Sequence, residues 1–184
     1  AMETIVKVAS GLDYEGVDID WEGIPPDKLP LFTKFVQELA PRLHKIGKKL
    51  SVVVEVWNAS AQWKLLGESA DFVEIMAYPE HHIGTGPGPI ASSKWAMNHL
   101  DTALRFVPRS RIIFCLPLFG YMWENGRARE MFWENQQSEA STMRAMKEKR
   151  DAEDIPSTHF SGGEAWYEDA HSINYKLLAA VEKR

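Results

Sequence analysis

One cysteine, Cys115, stands alone among 184 residues. That excludes an intramolecular disulfide and any zinc site built from several cysteines. Cys115 lies in the apolar run Ile112-Ile113-Phe114-Cys115-Leu116 and reads as a small core residue. Positive charge is also in short supply. The 21 Lys+Arg against 26 Asp+Glu leave a formal net charge of −5, so attraction to phosphate does not drive binding and nucleic acid is not the expected partner. No stretch reaches the ~18 apolar residues of a membrane-crossing helix, and no membrane partner is expected. Residues 1–12 lack the charged start and long apolar region of a signal peptide. The Ala1-Met2 opening reads as an artificial start, so compartment stays open. Internal repeats and low-complexity tracts are missing as well. What remains is ordinary globular composition, 45% hydrophobic and 26% charged, of a size for one domain or part of a larger one.

Short β-branched runs alternate with longer helical stretches. Residues 3–11 read as the end of a helix and 16–21 as a strand. Pro25-Pro26-Asp27 opens a helix over 27–47, with Leu31, Phe32, Phe35, Val36, Leu39 and Leu43 at helical spacing and a kink or break at Pro41. Strands are expected over 50–57, 71–77 and 111–118, and helices over 60–67 and 93–107. Residues 82–92 form a Gly/Pro loop, 121–136 are irregular and Trp-rich, and 138–150 form a charged helix. A loop through Pro156 and Gly162-Gly163 leads to a last helix over 168–183. This order argues α/β with a parallel sheet. An open doubly wound sheet and part of an eight-stranded barrel both satisfy it, and four β/α units make half a barrel.

The most informative segment is Tyr14-Glu15-Gly16-Val17-Asp18-Ile19-Asp20-Trp21-Glu22. Alternation along a strand turns Val17, Ile19 and Trp21 one way and Asp18, Asp20 and Glu22 the other, ~6.6 Å apart. A parallel strand is normally apolar on both faces. Burying unpaired charge costs several kcal/mol, and carboxyls respond by keeping protons. One alternative is an edge strand with a solvated acidic face. Another is a magnesium or calcium site, but one straight strand spreads its ligands over ~13 Å, too far for one ion. The chemical reading is coupling. At least one carboxyl stays protonated, a Glu at the mouth serves as general acid, and the inner pair shares a proton.

This segment resembles the signature strand of the family 18 glycoside hydrolases, the chitinase-like enzymes, with pattern Asp-Gly-x-Asp-x-Asp-x-Glu. Glu15 stands in the first Asp position, and Gly16, Asp18, Asp20 and Glu22 match the rest. The resemblance implies that Glu22 protonates the glycosidic oxygen. Asp20 then orients the substrate's N-acetyl group, which is itself the nucleophile, and Asp18 holds Asp20. Asp71-Phe72-Val73-Glu74-Ile75-Met76-Ala77-Tyr78 resembles the family's sixth strand, Met-x-Tyr-Asp, with Tyr78 as the N-acetyl contact and Met76 beside it. The family's Asp is replaced by Pro79, followed by Glu80 and His81, and both are carried as substrate-binding candidates. Pro117-Leu118-Phe119-Gly120-Tyr121 resembles the seventh strand, with Tyr121 and Trp123 lining the site. The form is most similar to bacterial members acting on spore or cell-wall peptidoglycan.

The resemblance therefore implies a partial (half) TIM barrel, a single domain over 1–184 without strands one to three and eight. A second copy or the absent parts would complete it. It implies hydrolysis of β-1,4-linked N-acetylglucosamine polymers, chitin or peptidoglycan, by substrate-assisted retention. The alternative is a fragment or lectin that holds these polymers without cutting them. No metal or organic cofactor is implied, and the setting is extracellular, cell wall or spore surface. Trp57, Trp63, Trp95, Trp123, Trp133 and Trp166 are candidate sugar platforms, with Trp123 and Trp133 foremost. His81-His82 lacks a clear third metal ligand. Asn58-Ala59-Ser60 is a sequon of a kind that arises often by chance. The basic clusters at 45–49 and 147–150 read as solvated helix ends.

Overall fold

The computed structural model describes residues 1–57, 60–131, 149–152 and 155–183. The chain divides into two compact units. Residues 1–76 and 100–115 form the first, and residues 77–99 and 116–184 the second.

The first unit carries α1 (Met2–Ser10), β1 (Gly16–Ile19), α2 (Leu29–His44), β2 (Lys49–Glu55), α3 (Ser60–Ser69), β3 (Phe72–Met76) and β4 (Ile112–Cys115), with the C-terminal part of α4 (Ser93–Phe106). The strands form one parallel sheet in the order β1-β2-β3-β4, as the alternation predicted. Register is fixed by the pairs Asp18↔Ser51, Val52↔Val73 and Ile75↔Phe114. Leu50, Val52, Val54, Val73 and Ile75 are all buried, as are Phe32, Val36, Leu39 and Leu43 of α2 and Trp63 and Leu66 of α3. Each such side chain contributes about 1.5–3 kcal/mol on leaving water. Gly16 is required where it stands, because a Cβ there would lie 2.5 Å from the carbonyl oxygen of Lys49.

Several expectations are corrected here. The helix runs through Pro41 to His44, because a proline in the last turn costs little of the remaining ladder. Leu31 is exposed, since its position falls outside the buried face of Leu29, Phe32, Val36, Leu39 and Leu43. Trp21, assigned to the covered side of its strand, is 61% exposed. The strand itself ends at Ile19, not at residue 21. Gly23 turns the chain at φ +66, and its N–H donates to Glu55 Oε2 at 3.1 Å.

The second unit is built on an antiparallel sheet that the sequence reading does not contain. Its strands are β5 (Gly120–Glu124), β6 (Arg127–Met131), β7 (Lys149–Arg150), β8 (Pro156–Phe160) and β9 (Gly163–Tyr167), in the order β6-β5-β9-β8-β7. Residues expected to be irregular, 121–131, form the β5–β6 hairpin, and the expected loop at 156–163 forms much of β8 and the start of β9. Asn125 (φ 50) and Gly126 (φ 74) make the β5–β6 turn, the doubly positive geometry that two-residue hairpins favour. The helix expected over 138–150 falls mostly outside the described residues, and its last two residues form β7. Alternation sorts the sheet's side chains. Met122, Met131 and Ala165 cluster together with Phe160. Tyr121 and Trp123 cluster with Ile90, Tyr78 and Phe119.

The final helix, α5 (Ala170–Glu182), starts at a capping box formed by Asp169 and Ser172. It buries an ion pair. Lys176 Nζ lies 2.8 and 2.7 Å from the two carboxylate oxygens of Glu168, and the Ser172 hydroxyl donates to Glu168 Oε2 at 2.6 Å. Both charged side chains are fully buried. Replacing Lys176 with Met leaves Glu168 without its counter-charge and should cost about 3–5 kcal/mol in urea unfolding. Glu168→Leu combined with Lys176→Met should recover most of that loss, because an apolar pair needs no compensation.

Candidate functional site

The sheet of the first unit has two unlike faces, and the apolar one is set by the buried aliphatic residues. Strand alternation then puts Asp18, Ser51, Glu55, Glu74, Met76 and Cys115 on the other face. The register agrees, pairing Asp18 with Ser51, and Glu55 with Met76 and in turn with Cys115. The Ser51 hydroxyl donates to Asp18 Oδ1 at 2.6 Å. Glu74 lies beside Ser51 and Asp18. Asp18, Asp20 and Glu22 are exposed, Glu74 is half-buried and Glu55 is buried.

On this sheet the carboxyl pushed upward is Glu74, which the sequence reading did not single out. Burial raises it first, and the nearby charges of Asp18 and Asp20 raise it further, against a lowering effect of the Ser51 hydroxyl close by. The upward shift thus falls on the strand beside the acidic segment, where Glu74 neighbours Asp18. The signal was available: a lone acid within the otherwise apolar run of a parallel strand calls for a partner. Cys115 reports the same field. Its thiol is pushed up to about 11 by burial, then by Glu74, Asp18 and Asp20.

At the opposite end of the strands the carboxylate chemistry is structural. Burial alone would raise Asp71. The Leu50 N–H at 2.8 Å and His44 Nε2 at 2.9 Å, with Arg111 nearby, outweigh it and hold the carboxyl below its ordinary range. Arg111 also donates to the carbonyls of Gly67 and Ala70.

The other candidate residues belong to the second unit, apart from Met76, which is buried at the end of β3. Tyr78, Phe119, Tyr121 and Trp123 form a ladder of edge-on contacts, with ring centroids 5.6, 5.5 and 5.8 Å apart in succession. Tyr121 and Trp123 are buried within it. Burial, then Glu130, pushes the Tyr121 hydroxyl upward. Glu80 Oε2 accepts the Ser92 N–H at 2.7 Å, and the Glu80 N–H donates to the Ile90 carbonyl. His81 Nδ1 lies 2.9 Å from the Gly86 carbonyl oxygen. Glu80 and His81 therefore shape the loop that follows β3. Among the other tryptophans, Trp63 is fully buried, Trp57 is exposed, and Trp95 packs edge-on against His99. Trp133 and Asn58 of the sequon lie outside the described residues.

Two outcomes follow from the Glu74 cluster. Cys115 should alkylate at pH 8 about a hundredfold more slowly than a free cysteine, since its thiolate is scarce, and Glu74→Gln should speed that labelling. A carboxyl held above its unfolded value contributes stability below the unfolded pKa and loses it as pH rises through the folded one. The stability of Glu74→Gln relative to the parent should therefore be greater at pH 8 than at pH 4 in urea unfolding.

A family model described as glycosyl hydrolases family 18 matches residues 2–184. YdhD of Bacillus subtilis (strain 168), whose name assigns it to sporulation-specific glycosylases, is 27% identical across 100% of this chain and 48% of its own length. The chain thus spans about half the length of that curated relative. The chitinase of Chromobacterium violaceum ATCC 12472 superposes with a TM-score of 0.83 at 28% identity, over 94% of this chain and 59% of that one. The spore cortex-lytic enzyme SleL of Bacillus megaterium QM B1551 superposes with a TM-score of 0.83 at 23% identity, over 98% of this chain and 46% of that one, a likeness of fold. The parallel β/α order is thus that of a partial barrel of this type. The chain belongs to the glycosyl hydrolases of family 18.

Proposed function

We propose that the chain carries the acid-bearing strand of a retaining glycosidase acting on β-1,4-linked N-acetylglucosamine polymers, chitin or peptidoglycan. The observation that carries this is the polar face of the parallel sheet, with Asp18 hydrogen-bonded to Ser51 and the signature's remaining acids just beyond the C-terminal end of β1. In barrels of this type, reactive groups gather at that end of the strands. Glu22 is the general acid and base. Asp20 orients the N-acetyl group, whose carbonyl oxygen attacks the anomeric carbon as the leaving oxygen takes the proton from Glu22. Asp18, tied to Ser51 and beside Glu74, positions Asp20. Tyr78 is the N-acetyl contact by its place in the Met-x-Tyr motif, and Tyr121 and Trp123 serve as aromatic support.

A second reading, binding without cleavage, rests on one specific observation. The motif's Asp is replaced by Pro79, and the adjacent Glu80 is committed to the Ser92 N–H, so its carboxylate is engaged within its own loop.

Chitin oligomers and cortex peptidoglycan are the substrates for the test. Glu22→Gln should lower release of sugar by about 10²–10⁴-fold, the usual contribution of a positioned proton donor, with unfolding unchanged. Release by Glu22→Gln at the parent rate would sink the hydrolytic assignment. Saturable oligosaccharide binding with no product from the parent chain would establish the second reading.

A further inference from the structure

The antiparallel unit holds a cleft of its own, about 370 Å³, at the tips of its hairpins. That size lies within the span of small-molecule sites, about 300–1,000 Å³. Asn125-Gly126 forms one rim, Gly162-Gly163 a second, and the loop at Thr85-Gly86 a third; Trp123, Ile83 and Glu164 also line it.

The walls are fixed before any ligand arrives. Trp123 Nε1 donates to the Thr85 carbonyl at 3.0 Å. The Thr85 N–H donates to the His82 carbonyl at 2.9 Å, and the His82 N–H donates to Thr85 Oγ1 at 2.9 Å. The Asn125 N–H donates to the Gly162 carbonyl at 2.9 Å. Glycine is demanded at the rim. Gly162 sits at φ +90, where an L side chain is strained, and a Cβ at Gly163 would lie 2.1 Å from the Trp123 carbonyl oxygen. A site held this way loses little entropy when it is filled.

Its chemistry is selective. Asn125 offers a donor and an acceptor on one amide. The contacts of Glu164 with Trp166 Nε1, at 3.1 Å, and His159 Nδ1, at 3.4 Å, both fall on Oε2, which leaves Oε1 for a ligand hydroxyl. Among the lining residues Glu164 is the sole charged side chain, and none is Lys or Arg. An aromatic wall, an amide and one carboxylate suit a hydroxyl-rich, uncharged ring, whereas an anionic ligand meets like charge with no counter-ion.

We infer that this cleft, formed by residues of the antiparallel unit alone, is a glycan-binding site, taking an uncharged N-acetylated pyranose residue and disfavouring sugars that bear a carboxylate. The ligand class rests on the glycan reading proposed above.

The test uses the whole chain carrying Glu22→Gln, so that sugar is not consumed. The probes are the N-acetylglucosamine tetramer and a tetramer of equal length in which alternate residues are muramic acid. The first should shift the side-chain amide resonance of Asn125 and bind several-fold more tightly than the second by calorimetry. Asn125→Gly, which keeps the positive-φ turn, should weaken the first probe about tenfold, the scale of a lost hydrogen bond in a dry site. Glu164→Gln, which keeps an acceptor for Trp166, should narrow the preference between the probes. The cleft is overturned if the Asn125 resonance stays still up to millimolar tetramer, if both variants bind like the parent, or if the probes bind equally. The two proposals fail separately. A shifted Asn125 amide in a chain without turnover supports the cleft and sinks hydrolysis. Turnover abolished by Glu22→Gln beside an unmoved amide does the reverse.

Discussion

Register in the parallel sheet is the constraint on which the first unit depends. Leu50, Val52, Val54, Val73 and Ile75 lie fully or almost fully out of solvent. Slipping one strand by a single residue would trade that face for the other. Such a slip would expose several aliphatic side chains, at about 1.5–3 kcal/mol each, and press carboxylates into an apolar layer. The acidic face is therefore held in place by its opposite. Asp18, Ser51 and Glu74 meet because their aliphatic neighbours cannot be anywhere else.

The sheet also has unlike ends. Asp71, His44, the Leu50 N–H and Arg111 form a saturated network where the strands begin. There the carboxyl is held down and its charge is satisfied. Past the other end, Asp20 and Glu22 stand exposed beyond the last ladder residue of β1. Glu55 anchors the turn at Gly23, so one buried acid positions the backbone that presents two exposed ones. Partnered and exposed carboxyls are separated by the direction of the strands.

The second unit shows why part of the fold was hidden from sequence reading. β6 is Arg127-Ala128-Arg129-Glu130-Met131, mostly exposed on its charged positions. A strand of that composition has no apolar period to betray it. The Asn125-Gly126 dipeptide was the available sign, a strong hairpin signal once flanking strands are suspected. Trp123 and Tyr121, read as site aromatics, also belong to a buried ladder, because alternation along β5 turns them to one face. The Glu168–Lys176 pair was equally silent, since eight residues separate its members across a strand end and a helix start.

Much of the first unit was legible because its physics is local. Period-two alternation, helix signals between the strands and three acids spaced two apart are properties of neighbouring residues; they give the β/α order and carry the resemblance to the family. Partner choice across strands is a different matter. Glu74 came beside Asp18 only once β2 and β3 were paired in register, and Glu80 acquired its Ser92 partner only when its loop folded back. The chain by itself set which acids exist and in what order. The tertiary structure decided which carboxyl of the sheet is pushed upward, because desolvation and like charge act through space between residues far apart in sequence.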